Sequence, residues 1–170
     1  ASAAKHEYLR GEVVAMAGGT PEHGRLAAAV IGELRNALRG HPCAPFSSDV
    51  RVRILATDRT TYPDVSVVCG MLERAPDDPD AIINPTVLVE VLSDSTEADD
   101  RGDKFAHYRR IPSLRDYVLV SQRARRIEVF HRDASGGWLL SEAGPGEEIR
   151  LESLDVALGV DAVYADPLGT

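Results

Sequence analysis

The stretch Thr86-Val87-Leu88-Val89-Glu90-Val91-Leu92-Ser93 decides how the rest of the chain is read. It is an apolar, β-branched run of strand length. Such a run fits a strand buried on both faces, as in the middle of a sheet whose faces are covered by helices. One residue breaks the pattern. Glu90 puts a carboxylate into the apolar run, and that is costly unless something pairs with it. A divalent cation is one such partner, since Mg²⁺ takes a few carboxylates with waters and phosphate oxygens. A structural ion pair, or an exposed face of the strand, is the plainer alternative.

Working outward, Tyr62 to Cys69 reads as a second strand. Pro63 opens it, which suits a strand start better than a middle, and Asp64 follows at its head. Cys43 to Leu55 is also strand-like, with Val50, Val52 and Ile54 alternating against Arg51 and Arg53 on a wet face. Met71 to Pro85 is acidic and proline-bearing, and Asp77-Asp78-Pro79-Asp80 reads as a solvated loop.

Upstream, Glu7 to Met16 reads as a hairpin turning at Arg10-Gly11, ended by Gly18-Gly19. Thr20 is an N-cap with Pro21 at the first helical position. Leu26, Ala27, Val30, Ile31, Leu34 and Leu38 form one helical stripe, closed by Gly40 and Pro42. Downstream, Thr96 followed by Asp99 is a capping signal, and a helix runs from there to about Arg110, before Pro112. Asp116 to Val120, Arg125 to His131 and Trp138 to Ser141 read as a strand meander, with turns at Ser121 to Ala124 and Asp133 to Gly137. Leu154 to Tyr164 reads as a short strand and a helical turn. The expected class is α/β or α+β, with helices packed on a mixed sheet, in one domain over 1–170.

Composition bounds the function. The 170 residues carry 27 acids and 19 bases, a net charge of −8, with 44% apolar residues. That excludes a simple basic coat for nucleic acid. It leaves room for an enzyme that holds metal with carboxylates and meets DNA through local arginines. No apolar run approaches the length of a membrane helix. Ala1 to Leu9 lacks the pattern of a secretion signal, so a cytoplasmic setting is expected. Cys43 and Cys69 form neither a disulfide framework nor a zinc spacing, and are expected as buried thiols in a reducing compartment.

Three further residues stand out. The chain has seventeen arginines and two lysines, and Lys104 is the lysine inside a helix. Lysine is a compact charge that can lose its proton, unlike arginine. On a helical wheel it falls between Tyr108 and Ile111, beside Phe105 and Arg101, leaning toward the core. A snorkelling surface lysine is the plainer alternative. His23 falls within the stripe of the first helix, where a neutral core histidine is the default. Glu33 borders the same stripe. No phosphate-binding glycine loop, nucleophile motif or histidine-rich zinc site is present.

Tyr62-Pro63-Asp64-Val65-Ser66-Val67-Val68 and Leu88-Val89-Glu90-Val91-Leu92-Ser93, followed by Ser95-Thr96, Asp100, Lys104 and Tyr108, form an ordered series. With Thr20-Pro21-Glu22-His23 and the segment from Glu7-Tyr8 to Glu12, the series resembles the Uma-two family of restriction endonucleases, in the PD-(D/E)XK nuclease superfamily. The resemblance spans about residues 5–165. It implies a restriction-endonuclease-like mixed central sheet flanked by helices, with a C-terminal β meander. It implies Asp64 and Glu90 as ligands of Mg²⁺ or Mn²⁺, with the backbone carbonyl of Val91 as a third. It implies phosphodiester hydrolysis, in DNA, by a two-fold homodimer.

The family pattern sets its lysine two residues after the glutamate, and Leu92 stands there. The resemblance therefore points to Lys104, supplied from the following helix, as the catalytic lysine. His23, Arg101 and Tyr108 are accessory candidates, and Arg101, Arg51 and Arg53 are candidates to neutralise phosphates. A nuclease fold that binds nucleic acid or protein without cleaving is the rival expectation. A phosphoesterase acting on RNA or a small substrate is a third.

Overall fold

In the computed structural model, which describes residues 6–9, 12–15 and 19–169, the strand that carries Glu90 lies inside a mixed sheet. In chain order the elements are β1 (His6–Leu9), β2 (Glu12–Ala15), α1 (Pro21–Ala37), β3 (Cys43–Ser47), β4 (Arg51–Ile54), β5 (Arg59–Thr61), β6 (Val65–Cys69), β7 (Arg74–Ala75), β8 (Asp78–Ile82) and β9 (Val87–Leu92). There follow α2 (Glu97–Arg101), α3 (Asp103–Tyr108), β10 (Asp116–Ser121), β11 (Ile127–Arg132), β12 (Trp138–Ala143), β13 (Glu148–Leu151), β14 (Val156–Gly159) and α4 (Val160–Val163). This is the expected α+β class.

The main sheet has the order β12-β11-β10-β9-β6-β3. β9 and β10 are parallel, joined by a crossover through α2 and α3, and the other pairs are antiparallel. All six residues of β9 are buried, because its alternate side chains feed two separate cores. Val87, Val89 and Val91 join Leu26, Val30 and Leu34 of α1 on one face. Leu88 and Leu92 join Phe105, Tyr108 and Tyr117, with Val52 and Ile54, on the other. Each large aliphatic group buried in this way contributes about 1.5–3 kcal/mol. A second sheet has the order β2-β1-β5-β4-β8-β7, and its strand β4 supplies Val52 and Ile54 to the second core.

Local chemistry explains the helix start. The Thr20 hydroxyl accepts from the His23 amide at 3.2 Å, and Pro21 is the first helical residue. Among the described residues no helix is long and apolar enough to cross a membrane. The hairpin expected over Glu7 to Met16 appears as β1 paired with β2, Leu9 opposite Glu12; Arg10, Gly11, Met16 and Gly18 lie outside the described residues.

Several expectations are corrected. Cys43 and Cys69 are register partners across β3 and β6, and they form a disulfide rather than two buried thiols. The strand expected over Cys43 to Leu55 is two strands in different sheets, turned at Ser48 to Val50. The supposed loop at Asp77 to Asp80 contributes to β8, because Arg51 on neighbouring β4 grips Asp78 through two hydrogen bonds, at 2.5 and 2.8 Å. The single helix expected up to Arg110 breaks at Gly102, where a Cβ would lie 2.9 Å from the Ala98 carbonyl oxygen. Thr96 makes no side-chain cap. Strands β5, β7 and β13 are additions that the periodicity does not signal.

Candidate active site

The β6–β9 ladder ends at Val65 opposite Val89. Beyond that pair the strands part, because the chain entering β6 carries Pro63, which has no amide to donate. The freed Val91 amide donates instead to Asp64 Oδ2 at 2.7 Å. In a strand the N–H and C=O of one residue point the same way. The Val91 carbonyl therefore heads into the same opening as Asp64. The N-terminal turn of α1 reaches this opening too, and His23 Nε2 lies 3.2 Å from Asp64 Oδ2. That contact raises the His23 imidazole above its ordinary value, against the opposing effect of partial burial.

Glu90, next to Val91 on β9, meets Tyr108 and Lys104 on the side of the second core, with Asp64 near enough to act on its charge. The Tyr108 hydroxyl donates to Glu90 Oε1 at 2.7 Å, and Lys104 Nζ lies 3.5 Å from the same oxygen. Lys104 also donates to Asp100 Oδ1 at 2.6 Å. Burial pushes the Glu90 carboxyl up to about 8. The Lys104 ammonium opposes that rise, while Asp64 and Asp100 add to it. Burial likewise raises Asp100, again opposed by Lys104. The Tyr117 hydroxyl donates to the Asp100 carbonyl at 3.0 Å and pins the end of α2.

One ammonium thus stands between two buried acids, and a third carboxylate lies at the mouth. The crowding of three carboxylates, with burial, keeps a proton on Glu90, and a divalent cation is a partner that would take that proton's place. Among the described residues no three His, Cys, Asp or Glu side chains converge as a ready-made metal cage. The donors on hand are two carboxylates and a carbonyl, which suits Mg²⁺, an ion that keeps several waters and shares phosphate oxygens. It does not suit a caged metal such as structural zinc.

The structure brings together Asp64, Glu90, Val91, Lys104, His23 and Tyr108. It does not bring Arg101 among them. Arg101 holds Glu128 through two hydrogen bonds, at 3.2 and 2.6 Å, and Glu97 at 2.9 Å. Arg51 is held by Asp78, and Arg53 by Asp58 and Asp77. None of these three is a spare cation for phosphate. Leu92, at the family's lysine position, is packed with Leu88 and Phe105. Asp100 belongs to the motif series, yet sequence reasoning gives it no part of its own. Its spacing of four from Lys104 is the available signal.

The model of the family Uma2, described as "Putative restriction endonuclease", matches residues 1–162. This chain belongs to the Uma2 family. Two uncharacterized Synechocystis proteins are similar to it. The protein slr1290 is 38% identical over 160 residues, covering 94% of this chain and 83% of its own. The protein sll1609 is 32% identical over 148 residues, covering 87% and 83%. A crystal structure described as a "putative nuclease" from Anabaena variabilis shares the fold at a TM-score of 0.77 and 14% identity, over 96% of this chain and 91% of that one. Uma2 membership and this fold make the molecule a nuclease-like protein, with the mixed sheet and few helices that the resemblance implied.

Proposed function

We propose that the chain is a metal-dependent endonuclease that hydrolyses phosphodiester bonds in DNA. One observation carries the reading. Lys104, delivered by α3, lies 3.5 Å from Glu90 Oε1 while Leu92 occupies the usual lysine position. A lysine placed by a different element against the same carboxylate is hard to explain as a surface group.

Asp64, Glu90 and the Val91 carbonyl would hold Mg²⁺ or Mn²⁺. When bound, such an ion supplies Lewis-acid stabilisation of the charge developing on the phosphate. The chain's own residues do the positioning. His23 and the Val91 amide fix Asp64 Oδ2. The Tyr108 hydroxyl fixes Glu90 Oε1. Asp100 holds the Lys104 ammonium beside Glu90, where it can orient an attacking water by its N–H groups and offset charge on the phosphate. The same reading takes the working form as a two-fold dimer, so that two sites address two strands.

The test is nicking of plasmid and of single-stranded DNA by the purified protein with Mn²⁺, beside Asp64→Ala and Lys104→Ala. Cleavage by the wild type alone supports the proposal. Equal cleavage by Asp64→Ala means that other residues, or a contaminant, do the chemistry. Silence in all three, with metal binding intact by calorimetry, favours the non-cleaving binding protein. That rival draws its support from the ion-paired state of Arg51, Arg53 and Arg101, which leaves those arginines closed to phosphate.

A further inference from the structure

A pocket of about 440 Å³ lies between α3 and the β11–β12 hairpin, lined by Ala106, Arg109, Arg110, Arg132, Gly136 and Trp138. It shares α3 with the carboxylate cluster but not its residues. Lys104 and Tyr108 meet the acids, while Ala106 and Arg109 face this pocket.

Three arginines converge here in a chain of net charge −8. Elsewhere Arg51, Arg53, Arg59, Arg101 and Arg150 hold carboxylates, while Arg25, Arg39 and Arg74 turn to carbonyl or amide oxygens. Arg109, Arg110 and Arg132 hold no carboxylate among the described residues. They are placed by other means. The Arg109 guanidinium lies 5.0 Å from the Phe105 ring centre, and that of Arg132 lies 5.8 Å from the Trp138 ring centre. Arg132 Nη1 also donates to the Ile111 carbonyl at 3.3 Å. A guanidinium stacked on a ring keeps its N–H edge for an acceptor in its own plane.

The acid in the hairpin's turn does not answer that edge. Asp133 Oδ1 is occupied by the Ser135 and Gly137 amides at 2.8 and 2.9 Å and by the Ser135 hydroxyl at 2.6 Å. The rim is open at Gly136, which has φ +86° and no atom within 4 Å of where a Cβ would lie.

The geometry points to a binding pocket for the phosphates of a nucleic-acid strand, gripped by Arg109, Arg110 and Arg132 with the Trp138 indole beside them. Forked guanidinium donors match phosphate oxygens, and stacked rings suit bases. A strand fits better than a lone phosphate because the surface continues. Arg110 also borders a second pocket of about 350 Å³, mostly apolar through Ile54, Leu55, Ile83, Ile111 and Pro112 as a base requires, with Arg53, Glu73 and Asn84 as its polar groups. The choice of nucleic acid rests on the nuclease reading above; the anion-binding character does not.

Trp138 is the only tryptophan of the chain, so its fluorescence reports on this pocket alone. The experiment titrates the protein in EDTA with a short single-stranded oligonucleotide and, separately, with inorganic phosphate. The expected result is a saturable change with the oligonucleotide, weakened about tenfold or more in Arg109→Gln/Arg110→Gln. Anisotropy of a labelled oligonucleotide repeats the comparison without relying on the indole. Inorganic phosphate binding as tightly as the oligonucleotide overturns the strand assignment. No change with either ligand, or equal affinity in the double variant, overturns the pocket. A wild type that responds at Trp138 but never cleaves with Mn²⁺ sinks the nuclease reading and leaves the pocket standing.

Discussion

Asp100 and Lys104 stand on either side of the Gly102 break, and Lys104 Nζ lies 2.6 Å from Asp100 Oδ1. The same ammonium lies 3.5 Å from Glu90. One cation therefore serves two buried acids, and each acid loses its counter-charge if the lysine goes. Lys104→Met is expected to reduce cleavage by about 10²-fold or more. It should destabilise the fold by about 3–5 kcal/mol at pH 8, and by less at pH 5, where protons take over the lysine's part. Urea unfolding at the two pH values, with nicking assays alongside, reads both effects.

Glu90 sets a pH dependence of stability. Its carboxyl lies at about 8 in the folded chain against an ordinary value of 4.5. Between these limits the folded protein holds a proton that the unfolded chain has released. The Glu90 contribution to stability therefore falls as pH rises from about 4.5 to about 8, then levels off. Glu90→Gln should flatten that slope in thermal melts of metal-free protein. At pH 8, Mg²⁺ or Mn²⁺ should raise the Tm of the wild type and leave that of Glu90→Gln unmoved. A slope that survives the substitution would assign it to another group.

His23 is expected to titrate above its ordinary 6.5 because Asp64 accepts a hydrogen bond from its imidazole. The sign is opposite in kind to an acid held by a cation: the stabilisation is complete below the unfolded value and lost as pH rises through the folded one. In Asp64→Asn the His23 midpoint should fall. Proton NMR of the imidazole ring measures it directly, and an unchanged midpoint would separate the two residues.

The Cys43–Cys69 bond closes a sequence separation of 26 residues. By loop-closure entropy its removal should cost about 3 kcal/mol. Cys43→Ser/Cys69→Ser should unfold at lower urea than the oxidised wild type, and a reducing agent should shift the wild type to match. A wild type indifferent to reductant would mean that the bond is not formed in solution.

The central strand, α1 and the β10–β12 meander were legible because each rests on local periodicity. The meeting of Lys104 with Glu90 was legible only through the motif series, since it depends on how α3 lies on the sheet. What the sequence hid was of one kind: pairings between distant residues. Cys43 finds Cys69 only once the β3–β6 register is known. Asp78 looks like loop chemistry until Arg51 arrives from β4. Arg101 looks like a phosphate contact until Glu128 arrives from β11. The burial of Asp100 follows from Gly102 bending the chain, which no helical wheel displays.

The position of the ammonium has a thermal consequence. A lysine two residues from its glutamate on one strand is kept in range by the covalent chain itself. Lys104 is kept in range by Phe105 and Tyr108 packing against Tyr117, with ring centres 5.0 and 5.2 Å apart. Contacts of that sort loosen locally before a six-stranded sheet comes apart. Warming should therefore part Lys104 from Glu90 reversibly some degrees below the point at which the sheet melts.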